Sequence, residues 1–169
     1  MLSPSNFLAT NPQLIDRTMA EGGLVAAAYG ATFAIIAVAL ISGAVADRFK
    51  FVTWCVFVPV WTTVVYAPLA YMVWGGGLLA EEGAIGSRLG EALDFAGGLV
   101  VHISAGVAAL VLALIIGKRN GFGTDPAQRP HNIPFVMLGA TLLWFGWFGF
   151  NGGAATDPAE AGLIWVNTM

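Results

Sequence analysis

The sequence of 169 residues contains little charge, since only 10% of its residues are Asp, Glu, Lys or Arg. A soluble domain normally carries about 25% charged residues. With 57% hydrophobic residues, this chain instead has the composition of a membrane-embedded bundle. Its net charge of −3 and its scattered basic residues give no electrostatic basis for binding nucleic acid. The composition therefore excludes an ordinary soluble domain and argues against polynucleotide partners.

Residues typical of enzymes and metal sites are also scarce. Cys55 is the single cysteine, which excludes an intrachain disulfide, so we interpret it as a small apolar filler. No zinc-ligand spacing, nucleophile elbow or hydride-cofactor fingerprint occurs. The stretch GKRNGFG at 117–123 lacks the Ser or Thr after Lys that a phosphate-binding loop needs. We predict a protein that is not an enzyme and that uses no cofactor and no metal.

The two ends of the chain also lack familiar signals. The start, MLSPSNFLATNPQLIDR, has no basic segment followed by an apolar stretch and a cleavage site, so we expect the membrane helices to direct insertion. The end, AGLIWVNTM, breaks off within an apolar stretch without a polar tail. We therefore expect a truncated chain.

Long uncharged runs predict the membrane helices. The predicted spans are residues 22–46, 51–74, 95–117 and 133–155, with the start of a fifth span at 161–169. We expect Pro59 and Pro68 to kink the second span. Small residues spaced four apart support tight helix packing, namely Ala39 with Gly43, and Ala105 with Ala109 and Ala113. The predicted fold is an all-α, polytopic transmembrane bundle, with residues 1–169 as one membrane domain fragment.

The basic residues of the loops predict the orientation. The loops predicted on one side of the membrane contain Arg48, Lys50, Lys118, Arg119 and Arg129. The other side receives only Arg17 and Arg88. By the positive-inside rule, the loops at 47–50 and 118–132 are cytoplasmic and the opposite ends of the spans face outward.

The third predicted span contains one imidazole, His102, eight residues after Asp94. At about 1.5 Å per residue, His102 lies about 12 Å below Asp94, inside the hydrocarbon zone. A titratable side chain at that depth is costly and usually faces a pathway or a partner. His102 is therefore a candidate functional residue. The alternative is an imidazole that only packs helices together through hydrogen bonds.

Four other residues each allow two interpretations. Asp94 is either a helix cap, which its position favours, or a cation-attracting carboxylate at a pore mouth. Trp74 and Phe150, at outer helix ends, belong either to an interfacial aromatic belt or to a cation–π site. The composition alone favours the belt. His131, beside Pro130 in a loop, is expected to be solvated rather than a ligand.

Five stretches, in this order and at these separations, resemble the ammonium transporter family of Amt, Mep and Rh proteins. They are YMVWGGGLL, DFAGGLVVHISAG, GKRNGFG, PHNIP and GWFGFNGG. The resemblance runs from about Gly22 to the carboxy terminus and corresponds to the third to sixth helices, with the start of the seventh. It implies a partial ammonium transporter fold with an incomplete inverted repeat, because the family fold places its path between two inverted repeats.

The resemblance also implies roles for individual residues. Trp74 and Phe33 line the external recruitment site for ammonium, and Phe33 with Phe150 forms a stacked aromatic gate beneath it. His102 resembles the first of the paired pore histidines. Trp147 resembles a pore-wall tryptophan.

Asp94 resembles the family aspartate that holds the site by capping backbone rather than by touching the ion. The sequence departs from the family pattern at two points. Ala154 stands where the external site often has a serine, so one acceptor for the ion is missing. The second pore histidine belongs to a part of the family fold that these residues do not contain, and His131 cannot replace it. Since one imidazole is a poor proton relay, these residues alone are not expected to conduct.

The implied function is transport of ammonium or ammonia through a hydrophobic pore in the cell (plasma or inner) membrane. An apolar bore admits neutral ammonia far better than the ion, whose desolvation costs several kcal/mol or more. The resemblance further implies a homotrimer and a P-II type regulator on the cytoplasmic face. Two alternatives stay open: an ammonium-sensing membrane protein without transport, and a structural helix bundle. The permeant species is also open.

Overall fold

Every regular element is a helix in the computed structural model, which describes residues 23–124 and 130–169. The α-helices are α1 (Gly23–Val45), α2 (Phe51–Trp61), α3 (Ala67–Trp74), α4 (Gly86–Leu89), α5 (Ser104–Ile116), α6 (Ile133–Gly152) and α7 (Pro158–Thr168). Two π-helical segments are π1 (Thr62–Tyr66), which joins α2 to α3, and π2 (Gly98–Ile103), which leads into α5.

Four of these helical stretches are long and apolar enough to cross a membrane. They are Val25–Val45, Phe51–Trp74, Gly98–Ile116 and Ile133–Gly152, named spans 1 to 4 below. The predicted all-α membrane bundle is therefore confirmed over the described residues.

Local backbone chemistry explains where several helices begin. Span 3 begins at Gly98, later than the predicted 95, because Gly97 adopts a φ of 91°, which interrupts a right-handed helix. Span 4 begins after Asn132, whose side chain accepts the Phe135 amide at 3.1 Å. Helix α7 begins before the predicted 161, because the Asp157 carboxylate accepts the first free amides of that helix.

Span 2 passes two prolines without breaking. Pro59 and Pro68 lack an amide hydrogen, so each leaves one carbonyl of the preceding turn without its helical donor. The π1 segment lies between these prolines, and the helix remains continuous from Phe51 to Trp74. A π-helical turn is a common way to absorb such an irregularity. Cys55 is exposed on this span and does not fill the core, contrary to the interpretation from sequence.

The core lies mainly between spans 1 and 3. Its buried side chains in these two spans are Phe33, Ala37, Val38, Ile41, Val45, Val100, Val101 and Ala105. Span 2 adds Trp61, Tyr66 and Val73. The small-residue pattern locates the interface correctly at Ala105, which is buried. Ala39 and Gly43 are exposed among the described residues, because α1 turns Ala37 and Ile41 toward this core.

Span 4 has no buried residue among those described. It packs against α7, where the Phe148 and Trp165 rings lie 4.4 Å apart and the Asn151 amide donates to the Thr168 hydroxyl at 3.2 Å. Its aromatic contacts with spans 1 and 3 come from Trp147 and Phe150, near its carboxyl-terminal end. Span 4 is therefore attached to the bundle mainly through that end.

The loops after spans 1 and 3 meet at one end of the bundle, where Arg119 Nε lies 3.6 Å from Asp47 Oδ2. Arg48 and Lys50 belong to the same end, which is the predicted cytoplasmic one. Two residues used for the orientation, Arg17 and Arg129, lie outside the part of the chain that the structure describes.

Candidate functional site

The Asp94 carboxylate caps the start of span 3. Its Oδ1 accepts the Gly97 amide at 2.8 Å, and its Oδ2 accepts the Val100 amide at 2.8 Å and the Leu99 amide at 3.2 Å. These amides have no carbonyl acceptor one turn earlier, so the carboxylate satisfies the free donors of the helix start. The negative charge also complements the positive end of the helix dipole. Asp94 therefore acts on the backbone that positions the following residues.

Gly97 brings this backbone close to span 1. A Cβ at Gly97 would lie 2.8 Å from Val101 Cγ2 and 3.5 Å from Phe33 Cδ1. Together with its φ of 91°, this crowding means that only glycine fits without strain. The segment that Asp94 caps is therefore pressed against the side chain of Phe33.

Three aromatic rings from three different spans meet beside this segment. Phe33 of span 1 stacks on Phe150 of span 4, with ring centroids 4.2 Å apart and an interplanar angle of 28°. Trp74, at the end of span 2, meets Phe33 edge to face at 5.5 Å. The Trp74 indole N–H donates to the Asp94 carbonyl at 3.4 Å. Trp74 is 42% exposed and Phe33 only 5%, so the cluster leads from the surface into the core.

His102 continues this series of rings. Its imidazole lies 5.8 Å from the Trp147 ring, nearly parallel to it, and 6.3 Å from the Phe150 ring. The ring is half-buried and lines a cleft of about 420 Å³, whose polar lining also includes Asp94, Asn151, Asn167 and Thr168. His102 thus faces span 4 and this cleft. Its position on π2 is notable because π-helical turns often occur at functional sites.

Sequence reasoning missed Tyr29, which belongs to the same cluster. The Tyr29 ring meets Phe33 edge to face at 4.9 Å, and its hydroxyl donates to the Phe150 carbonyl at 2.8 Å. This hydrogen bond ties span 4 to span 1 at the stacked pair. The signal was available, because Tyr29 precedes Phe33 by four residues and so lies on the same helix face. Asn151 was also missed, although it lies within the quoted stretch GWFGFNGG.

The structure brings most of the predicted site residues together. Contacts between rings connect Trp74, Phe33, Phe150, Trp147 and His102, and Asp94 joins them through its backbone and its carboxylate. Ala154 is half-buried just after span 4, and its methyl group offers no acceptor. His131 is exposed, one residue before the Asn132 cap at the opposite end of span 4. Within residues 23–124 and 130–169, no group of three His, Cys, Asp or Glu could hold a metal.

Comparisons with known proteins give a consistent result. A model of the Ammonium Transporter Family matches residues 5–169. The chain is 57% identical over 146 residues to an ammonium transporter of Mycobacterium tuberculosis, covering 83% of this chain and 30% of that relative. It is 45% identical over 153 residues to the ammonium transporter Amt1 of Archaeoglobus fulgidus, covering 82% of this chain and 37% of the relative. No solved structure gives a significant match. The chain thus spans about a third of the length of these relatives.

Proposed function

The chain belongs to the ammonium transporter family, and from this premise we propose that it forms part of a path that carries ammonium or ammonia across a membrane. The family inferred from the quoted stretches is therefore correct, and the chain is part of a multi-pass membrane protein. Membership in a transporter family also agrees with the prediction that the chain is not an enzyme.

The observation that carries this proposal is the unbroken series of aromatic contacts from Trp74 through Phe33 and Phe150 to His102. Helix packing alone does not explain why His102 lies at the end of a series of ring contacts that begins at an exposed tryptophan. The exposed Trp74 face is suited to attract a small cation, for about 0.5–1 kcal/mol at such a site. Trp74 and Phe33 are thus proposed to recruit ammonium.

The stacked pair of Phe33 and Phe150 would then close the way inward. Two parallel phenyl rings offer no hydrogen-bond acceptor, so a hydrated ion cannot pass them without losing water, which costs several kcal/mol or more. Below the rings, His102 can accept a proton on one nitrogen and donate from the other, and the Trp147 ring lies nearly parallel to it at 5.8 Å. We propose that these residues separate a recruitment site from an apolar path.

The homotrimer and the P-II type regulator are further proposals that derive from the family resemblance. They concern the complete transporter, of which this chain spans about a third when compared with its relatives.

A chimera tests the proposal directly. Residues 22–169 would replace the matching segment of the Mycobacterium tuberculosis relative, in cells whose growth on limiting ammonium depends on the introduced transporter. We expect the chimera to support growth and His102→Ala to abolish it, while the variant reaches the membrane at the same level as the parent. The matched control is His131→Ala, which removes the exposed imidazole and should leave growth unchanged.

Two results would contradict the proposal. If His102→Ala grew like the parent, the imidazole would not lie on a path. If His102→Ala failed to accumulate as folded protein while His131→Ala did accumulate, His102 would serve packing, as the structural alternative holds.

A further inference from the structure

Ser104 is a polar side chain inside the apolar core, two residues after His102. It is 8% exposed, and its neighbours Val100, Val101 and Ala105 are at most 2% exposed. A buried hydroxyl requires a hydrogen-bond acceptor, because burying it unpaired is costly. The Ser104 hydroxyl donates to the Val100 carbonyl and also lies 3.1 Å from the Val101 carbonyl. It therefore bonds to the backbone directly before His102.

The backbone around His102 departs from the α-helical pattern. The His102 amide donates to the Gly97 carbonyl at 2.9 Å, and the Ser104 amide donates to the Leu99 carbonyl. Each of these bonds reaches back five residues, whereas an α-helical bond reaches back four. A shift of one residue in this pattern rotates a helix face by about 100°. The direction of the His102 imidazole therefore depends on the π-helical turn.

Side chains hold this turn from both ends. Asp94 Oδ2 accepts the Val100 amide at 2.8 Å, and the Ser104 hydroxyl donates to the carbonyl of the same residue. Both backbone polar groups of Val100 are thus bonded to side chains, one placed before π2 and one placed after it. Because π-helical turns are rare, such a turn needs support from its surroundings. Ser104 provides this support at the carboxyl-terminal end of π2.

We propose that Ser104 is a positioning residue for His102. Its hydroxyl keeps the π-helical pattern, and this pattern directs the imidazole toward the nearly parallel Trp147 ring, 5.8 Å away, and into the cleft. Without the hydroxyl, the Val100 and Val101 carbonyls lose a donor, so the turn relaxes toward the α-helical pattern and rotates the imidazole away from Trp147. Only the consequence for transport rests on the proposed function.

NMR of the chain in detergent micelles tests the ring orientation directly. The chain contains two histidines, so isotope labelling of histidine gives two imidazole signals, and His131→Ala identifies which is which. Trp147→Leu marks where the His102 signal lies without the neighbouring ring. We expect Ser104→Ala to move the His102 signal toward that position, while the His131 signal stays in place.

The matched control is Ser42→Ala in span 1. The Ser42 hydroxyl donates to the Ala39 carbonyl at 2.6 Å within a regular α-helix. This variant removes the same atom and the same kind of bond, but not from a π-helical turn. It should leave the His102 signal unchanged.

Uptake by the chimera provides a second measurement. Per folded transporter in the membrane, Ser104→Ala should lower the maximal rate about twofold to tenfold, the range of one hydrogen bond. The half-saturating ammonium concentration should stay the same, because Trp74 and Phe33 keep their contacts. An unmoved His102 signal in Ser104→Ala, or an equal displacement in Ser42→Ala, would overturn the proposal. A moved signal with an unchanged maximal rate would support the positioning role and contradict the proposed function instead.

Discussion

Spans 1 and 3 are joined along much of their length, whereas span 4 is held mainly near one end. Buried side chains run along span 1 from Phe33 to Val45, and they face the buried residues of span 3. Span 4 contributes no buried residue, yet it supplies Phe150 and Trp147 to the cluster around His102. The packing that stabilises the described bundle therefore lies mainly between spans 1 and 3, whereas the candidate site also requires the two rings that span 4 supplies.

This difference has a physical basis in the membrane. Lipid tails are as apolar as leucine, so helices associate through close packing and hydrogen bonds rather than through removal of apolar surface from water. Spans 1 and 3 achieve close packing through Ala37 and Ala105, which let the helices approach. Span 4 relies on stacked rings and on the Tyr29 hydroxyl. Substitutions in the two regions should therefore affect stability and transport in different proportions.

The largest effect on stability is expected at Gly97, where span 3 meets Phe33. Gly97→Ala must hold a side chain at a φ of 91° and place its Cβ 2.8 Å from Val101 Cγ2. We expect a loss of about 3 kcal/mol in unfolding free energy, measured by titration with denaturing detergent. Gly106→Ala, in the same span but with open space around it, should change stability by less than about 1 kcal/mol. Similar losses for both variants would contradict the assigned strain.

Ile41→Ala directly tests the packing between spans 1 and 3. Ile41 is fully buried between spans 1 and 3, so truncation leaves a cavity that lipid cannot fill. We expect a loss of about 2 kcal/mol in the same titration. Phe135→Ala, in the exposed first half of span 4, should cost less than about 0.5 kcal/mol, although it removes a larger side chain. A larger loss of unfolding free energy for Phe135→Ala than for Ile41→Ala would contradict this prediction.

Tyr29→Phe sharpens the comparison by removing only the hydroxyl that ties span 4 to span 1. One hydrogen bond contributes about 1 kcal/mol, so the stability loss should be small. Transport by the chimera should nevertheless fall, because Phe150 loses the bond that holds its backbone against Phe33. Thr32→Val is the control, since its hydroxyl bonds within its own helix, to the Tyr29 carbonyl. Unchanged uptake by Tyr29→Phe would show that the stacked pair does not need this hydrogen bond for transport.

The smallest energetic effect is expected at Trp74. Trp74→Leu removes a 42% exposed aromatic face and should weaken the apparent affinity for ammonium about twofold to fivefold, with little change in stability. Concentration-dependent uptake by the chimera measures this affinity. Trp144→Leu, at a similarly exposed position on span 4, should leave the affinity unchanged. Equal affinities of Trp74→Leu and the parent for ammonium would contradict the recruiting role proposed for Trp74.

Much of the fold was predictable because membrane helices are specified by length and apolar composition. Spans 1 to 4 follow from uncharged runs that end at charges or glycines, and the capping role favoured for Asp94 rests on its position before a helix. The face of each helix was not predictable. Ala39 and Gly43 form a plausible packing pattern but are exposed. All sides of span 1 are similarly apolar, so the sequence provides no signal for the buried face.

The sequence by itself determined that this chain crosses a membrane, which family it belongs to, and which residues carry aromatic rings and an imidazole. The tertiary structure alone decided that Phe33 stacks on Phe150, that Tyr29 ties span 4 to that pair, and that the Ser104 hydroxyl bonds to the backbone beside His102. Hydrophobicity along the sequence indicates which segments lie in the lipid bilayer. It does not record how helices rotate against one another, because that rotation depends on packing between residues far apart in sequence.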